Sequence, residues 1–422
     1  MGATARDPNL REPVMPFPEP ARPPLSVPEA AKLEEARSLI RNFSIVVGGP
    51  VYDFLLRIGL VRLGLPNVLR RIIGLILITW FPLFLISLRH GLATGHNVTI
   101  PLLYDFSTYG RLLLGLPLLL IAEVVIDPAI RSAVEEFVDT GIVQEKELSE
   151  FEKVLRRVQW LRDSWIPESA LLVLAFFPVF MFQHEWVLGG VTSWHTTAEG
   201  LSSAGWWYAV ISAPIFRFIL YRWMFRYFIW ALLLWRIGRI NLHLTPTHPD
   251  HAAGLDFLGL VQARFGILFC ALGCVFAGRV LNSLLLEAAP LASFKFLMAG
   301  FVVLSLIFGL LPLMLLAPRL MRVRRAGLRE YGRLANQYTE AFDRKWVHSS
   351  NPSNEPLLGT GDIQSLADLA NSYAVVREMG IAPISKRLAT QLAVQASLPL
   401  VPVIILGTPT SELVNAILKM VV

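Results

Sequence analysis

Apolar runs of about 20 residues, the length that crosses a hydrocarbon core, alternate with charged segments along the whole chain. The pattern predicts seven spans, over residues 72–88, 106–126, 169–187, 206–236, 256–282, 294–316 and 388–406. The last contains Pro399 and Pro402, so a broken or re-entrant segment is the alternative there. Between the spans the period becomes that of amphipathic helices. Ser26-Val-Pro-Glu29 reads as a capping box opening a helix over 27–42. Residues 48–67, interrupted by Arg57 and Arg62, suit a helix lying in the interface with snorkelling arginines. Asp127-Pro128 has the form of an N-cap and first-turn pair, which predicts a soluble helix starting where the second span ends. Beyond it Leu148, Phe151, Leu155, Val158 and Leu161 form an apolar stripe on a charged segment. After Pro318 come a basic helix, a polar linker and a further helix over 363–379.

The expected fold class is therefore all-α, a polytopic membrane helical bundle of about seven spans with cytosolic amphipathic helices. Its divisions are a Pro-rich arm (1–26), interfacial helices (27–66), spans one and two (67–126) and a cytosolic hairpin (127–166). Spans three to six (167–317), a cytosolic helical region (318–386) and the seventh span with a short C-terminus (387–422) complete it. Lys and Arg crowd the segments before span one, between two and three, after four and after six. The positive-inside rule then places the N-terminus in and the C-terminus out, in a cell inner membrane.

Composition agrees with the pattern. Hydrophobic residues make up 54% and charged residues 17% of 422, against roughly 25% charged in soluble domains. The net charge of +6 is what positive-inside loops produce, so no nucleic-acid partner is implied. The partners expected are the lipid bilayer and, through the apolar stripes of the cytosolic helices, a second copy of the chain or another protein. Eight prolines between positions 8 and 28 read as an extended, disordered arm rather than a signal peptide. Cys270 and Cys274, one turn apart, read as packing residues. The glycines of 358–361 lack the Lys-Ser/Thr of a phosphate loop, and no cofactor is expected.

Charges within the apolar runs are the candidate chemistry, because arginine is costly in a bilayer. Arg111, Arg217, Arg222, Arg226 and Arg264 lie in or near them, whereas Glu123 is the clearly intramembrane carboxylate. At 100° per residue Arg222 and Arg226 share a helix face, and Arg217 lies about 140° away from Arg222. Glu123 sits at a depth where Arg226 or Arg264 reaches it. These residues read either as a cationic lining that attracts an anion or anionic headgroup, or as structural pairs. Gln391 and Gln395, one turn apart ahead of the two prolines, suit a permeation path or an inter-helix hydrogen-bond seam.

In the turn after the fourth span, His243, His248, Asp250 and His251 carry ligand types suited to a transition metal. The competing reading is a connector in which Asp250 caps the next helix. His90, His96, His184, Glu185 and His195 fall in the outward loops, as a pH-sensing surface or as scattered interfacial residues. The run RFILYRWMFRYFIWALLLWRI followed by HPDHAAGLDFLG, with GTGDIQSLADL further on, resembles a group of uncharacterised bacterial multi-pass membrane proteins. In that group an aromatic-arginine helix ends in His-Pro-Asp-x-x-Gly-Gly-Leu-x-Phe-Leu; here Ala253 replaces the first glycine, beside Gly254. The likeness covers about the second half of the chain, implies a bacterial inner membrane and carries over no functional residue.

No nucleophile elbow, zinc-protease helix or paired-carboxylate motif appears, so no catalytic residue is assigned and an enzyme is not the expectation. The leading functional expectation is a channel or transporter for a small anion. The alternative is a non-transporting scaffold or sensor that binds a protein through its cytosolic helices and Pro-rich arm, with a lipid-modifying enzyme third.

Overall fold

The computed structural model describes residues 34–35, 37–57, 65–94, 98–181, 193–197, 200–348 and 361–408. The Pro-rich arm, the capping box, His96, His184, Glu185 and the linker 349–360 lie outside them. The described chain is 80% helical, and a two-residue pairing of Thr196–Thr197 with Gly200–Leu201 is the sheet found among the described residues.

The helices are α1 (Pro50–Arg57), α2 (Leu65–Thr79), α3 (Phe81–Arg89), α4 (Phe106–Tyr109) and α5 (Leu116–Asp139). Then follow α6 (Leu148–Asp163), α7 (Trp165–Met181), α8 (Ser203–Trp207), α9 (Ala213–Ile237) and α10 (Phe257–Leu285). The last are α11 (Lys295–Met314), α12 (Ala317–Phe342), α13 (Gly361–Glu378), α14 (Lys386–Ser397) and α15 (Val401–Gly407). Six stretches are long and apolar enough to cross a membrane: Asn67–Arg89, Phe106–Asp139, Ser203–Ile237, Phe257–Leu285, Leu291–Met314 and Lys386–Gly407. The chain is thus built as an integral, multi-pass membrane protein. The expected third span corresponds to α7, an apolar helix of 17 residues whose continuation falls outside the described residues.

The bundle is organised around α10, which packs most extensively on α5 and α14. Small residues allow this. A Cβ on Gly278 would come within 2.4 Å of the Phe106 carbonyl oxygen, and one on Gly110 within 2.4 Å of the Cys274 carbonyl oxygen. In lipid such backbone-to-backbone approach supplies the packing that hydrophobicity cannot.

The prolines inside spans each remove a backbone donor and free the carbonyl four residues earlier. Two of these carbonyls are taken up by the aromatic helix. Pro82 frees that of Ile78, which accepts from Trp207 Nε1 at 3.1 Å. Pro312 frees that of Phe308, which accepts from the Tyr227 hydroxyl. Tyr227 is itself joined to Gln262, whose amide also donates to Gly309 and accepts from Trp230 Nε1 at 3.2 Å. The aromatic residues of α8 and α9 are thus hydrogen-bonding partners for proline-containing neighbours as well as apolar filling.

Two local expectations are corrected, and the broken form of the last span is set aside. Asp127-Pro128 does not start a new helix: α5 runs straight through with Pro128 inside it, and Asp127 is buried against Ser44 rather than capping. Gly48 and Gly49 do not open an interfacial helix. Their φ values of 125° and 91° end a buried, non-helical segment, and α1 starts at Pro50. Pro399 and Pro402 do not split the final span into separate pieces; a 3₁₀ turn at Leu398–Leu400 joins α14 to α15.

The stripe of α6 is buried as its period requires, with Leu148, Phe151, Leu155 and Val158 under 7% exposed, and it packs along α9. Helices α12 and α13 form a hairpin on one another, closed by Lys345 on Asp362 at 2.8 Å and by Val376 against Gly327.

Candidate functional site: an arginine–carboxylate cluster under a buried strap

The chemistry concentrates where α2, α5 and α9 bring charges to one level. Helix α9 presents Arg222 and Arg226 on one face, and both are buried, at 8% and 5% exposure. Arg226 donates to Glu123 of α5 at 3.0 Å. Glu123 also accepts from Arg71 of α2 at 2.6 Å. Arg222 pairs with Glu168, in the first turn of α7, at 3.2 Å. Both guanidinium groups stand near aromatic rings, Arg226 at 5.0 Å from the ring centre of Trp223 and Arg222 at 5.9 Å from that of Phe218.

Across this cluster runs a strap, residues 43–49, in which Phe43, Ser44, Ile45 and Val46 are at most 5% exposed. Irregular backbone is tolerated at such depth only where its polar groups find partners, and here the charged residues supply them. Ser44 Oγ donates to Asp127 at 2.5 Å and accepts from the Val46 and Val47 amides. The Ser44 carbonyl accepts from Arg162 at 2.5 Å and the Val46 carbonyl from Arg226 at 3.1 Å. Just past the strap, in the first turn of α1, the Val51 amide donates to Glu168 at 2.8 Å. Gly48 is needed for its positive φ and for space, since a Cβ there would meet the Arg162 and Asp163 side chains at 2.6–2.7 Å.

Three adjoining cavities follow the arginines. The first, about 500 Å³, lies among Gly48, Gly49, Asp53, Arg57, Arg162 and Asp163. It shares Gly48 and Arg162 with a small cavity of about 10 Å³ bordered by Glu168, Arg222 and Arg226. That is room for about one water. Arg222 and Arg226 in turn border a third cavity of about 230 Å³ with Arg70, Arg71 and Glu123 at one end.

The other candidate residues are placed as follows. Arg217 belongs to no ion pair among the described residues and donates to the Ala175 carbonyl of α7 at 3.2 Å. Arg264 is exposed and makes no ion pair among the described residues. Arg111 donates to the Tyr208 hydroxyl at 2.5 Å. Gln391 borders a separate cavity with Asp256 and Arg387, while Gln395 lies over Gly266. The residues missed in the sequence are Arg71, Glu168, Asp127 and Arg162. Each sits at the polar edge of a span, where a charge reads as an ordinary flank.

The turn after α9 is organised by Asp250, whose carboxylate accepts the Ala252, Gly254 and Asp256 amides and faces His248 Nδ1 at 2.8 Å. Burial works against the charged form, but these hydrogen bonds prevail and hold the carboxyl below its usual range. His251 and Ala253 take left-handed φ values of 55° and 58°. Gly380 donates to the His251 carbonyl and His243 to that of Ile142, tying the turn to α13 and to the end of α5. Among the described residues no group of three or more His, Cys, Asp and Glu side chains is disposed to hold a metal ion.

At the end of the bundle where α4 begins, a second polar cluster surrounds Asp105. Its buried carboxylate accepts from Trp194 Nε1 at 3.0 Å, Asn282 at 2.7 Å and Thr108 at 2.6 Å. Burial disfavours its charge, yet His195 and these donors outweigh it and lower the pKa. His195 stacks on Trp194, with ring centres 3.6 Å apart. Burial pushes its pKa down to about 4 against the opposing pull of Asp105, and Arg111 nearby pushes the same way. His90 is exposed and belongs to no such cluster.

The fold and the cluster define a class, the polytopic helical membrane protein with a buried ionic centre. Comparison with protein-family models, curated proteins and solved structures returned no match.

Proposed function

We propose that the protein moves a small anion, with Arg162, Arg222, Arg226 and Arg71 as the sites it passes. The single observation behind this reading is the succession of three cavities sharing arginine walls and meeting at the narrow point between Arg222, Arg226 and Glu168. Guanidinium groups in a low-dielectric site attract an anion strongly, and their pairing with Glu123 and Glu168 keeps the empty path from being a bare positive charge. The conformation described corresponds to a closed path, its constriction bordered by the strap at Ile45 and Gly48. The Lys and Arg distribution orients the strap and the α12–α13 hairpin towards the cytosol in this reading.

Reconstituted liposomes with an anion-sensitive dye test it. Wild type should pass chloride or nitrate faster than protein-free vesicles. The paired variant Arg222→Gln with Glu168→Gln, which removes one ion pair without leaving a lone buried charge, should abolish the difference. Unchanged flux in the folded paired variant, or no wild-type flux of any small anion, refutes the reading.

A non-transporting scaffold is the second reading. It is favoured by Leu334, Val347 and Ile363, which are 47–61% exposed on the α12–α13 hairpin. Deleting residues 1–26 should change the set of co-purifying proteins in that case and leave flux out of the question.

A further inference from the structure

We propose that the 230 Å³ cavity is the binding groove of an anionic lipid drawn from the surrounding bilayer. The groove is amphiphilic along its length. At one end stand Arg70, Arg71, Arg222 and Arg226. From there its walls turn apolar, with Gly74, Leu75 and Ile78 of α2 facing Ile215, Phe218 and Ile219 of α9. The two helices run in opposite directions, so their charged ends coincide. The apolar wall extends from Arg70 to Ile78 on one side and from Arg226 to Ile215 on the other, about 12–16 Å at 1.5 Å per residue.

Charge and shape select the occupant. Four guanidinium groups face one carboxylate, Glu123, across the groove, and Glu168 takes Arg222 from behind. Two positive charges stay unmatched. Arg70 is exposed and has no hydrogen-bond or ion-pair partner among the described residues. An ester-linked phosphate supplies the missing charge, and Arg forks bind phosphate bidentately. Beyond the arginines the walls offer an inorganic ion nothing to bond, whereas an acyl chain gains by covering them. Gly74 leaves a slot there, because a Cβ at that position would meet no atom within 4 Å. Ile78 is 49% exposed, so the slot opens on the flank of a span, where lipid is the neighbour. The site requires no transport, since the arginines hold a headgroup whether or not ions pass the constriction.

Native mass spectrometry of the full chain released from nanodiscs of equal phosphatidylglycerol and phosphatidylcholine tests the proposal. Wild type should retain one phosphatidylglycerol and little phosphatidylcholine. Gly74→Trp, which fills the slot, should reduce retention on the order of tenfold. Gly74→Ala, which the open space accommodates, should behave as wild type and serve as the folding control. Arg70→Gln, at an exposed site, should cut the preference for the anionic lipid and cover the case in which Gly74→Trp fails to fold. Equal retention of the two lipids by wild type overturns the proposal. So does wild-type retention in Arg70→Gln or in a folded Gly74→Trp, or displacement of the lipid by excess inorganic phosphate, which would mark a simple anion site. Flux in the liposome assay is read separately, so loss of transport with lipid retained, or the reverse, identifies which proposal fails.

Discussion

Glu123→Gln is the sharpest probe of the ionic centre. The substitution keeps the side chain's shape and removes the negative charge that Arg71 approaches at 2.6 Å and Arg226 at 3.0 Å. Side-chain exposures of 14%, 6% and 13% for Arg71, Arg226 and Glu123 mean that water screens the loss poorly. Removing one partner of a buried pair costs about 3–5 kcal/mol, chiefly because the other charge is left uncompensated. Here two arginines are left facing one another, so the upper part of that range applies. The effect should reach the strap, because Arg226 also holds the Val46 carbonyl. Unfolding in mixed detergent micelles measures the stability change. Alkylation of a cysteine placed at Val47, in a chain with Cys270 and Cys274 replaced by Ala, measures strap opening. Adding Arg226→Gln to Glu123→Gln should recover part of the loss, with a coupling of about 1–3 kcal/mol in a double-mutant cycle. A loss below about 1 kcal/mol for Glu123→Gln, or a coupling of zero, would refute the reasoning, since exposed pairs behave that way.

Three further outcomes follow from the geometry. Gly278→Val should destabilise the bundle by about 1–3 kcal/mol or more, because its Cβ would lie 2.4 Å from the Phe106 carbonyl and backbone must move; thermal unfolding against Gly300→Val, at an open position, checks it. His195, held neutral in the fold by burial, has its pKa lowered from 6.5 to about 4. The folded state therefore binds fewer protons than the unfolded chain between these values. Its contribution is full above pH 6.5 and lost as pH falls through 4, amounting to about 3 kcal/mol. Melting midpoints from pH 4 to 7 should flatten in His195→Gln, and an unchanged slope would count against the assignment. Asp250→Ala strips three amides of their shared acceptor and should cost about 2 kcal/mol. Limited proteolysis between His248 and Asp256 reports it, with no increase in cleavage as the contrary result.

Periodicity carried most of this fold. Apolar runs located the six stretches able to cross a membrane, and the α6 stripe pointed to its buried face. What periodicity misses is where a charge ends up when its neighbours come from distant segments. Glu168 and Arg71 lie at polar span edges, and only the packing of α2 and α7, antiparallel to α5 and α9, turns them inward. Asp127-Pro128 misled because N-cap chemistry is local, whereas the acceptor role of Asp127 depends on Ser44, 83 residues away. The strap was illegible for the same reason. NFSIVVGGP has no helical or strand period, and its burial rests on partners from α5, α6 and α9.

The strap also changes what the buried arginines are for. An ion pair in a low-dielectric interior rarely stabilises a fold relative to apolar packing of equal volume, so economy alone does not explain Arg226 and Glu123. A non-helical backbone crossing the same region has carbonyls and amides that apolar side chains cannot satisfy, and Arg162, Arg226 and Asp127 each satisfy one of them. Those bonds can be exchanged for others. An anion at Arg226 competes with the Val46 carbonyl and Glu123 for the same guanidinium, and a lipid phosphate at Arg70 and Arg71 competes with Glu123 for Arg71. Ligand binding at Arg226 therefore weakens the strap's attachment, by an amount bounded by the hydrogen bond it replaces, about 1.5–3 kcal/mol for a charged donor. In this reading the charges that close the path are those that its ligands would bind, which couples occupancy to opening without any further device.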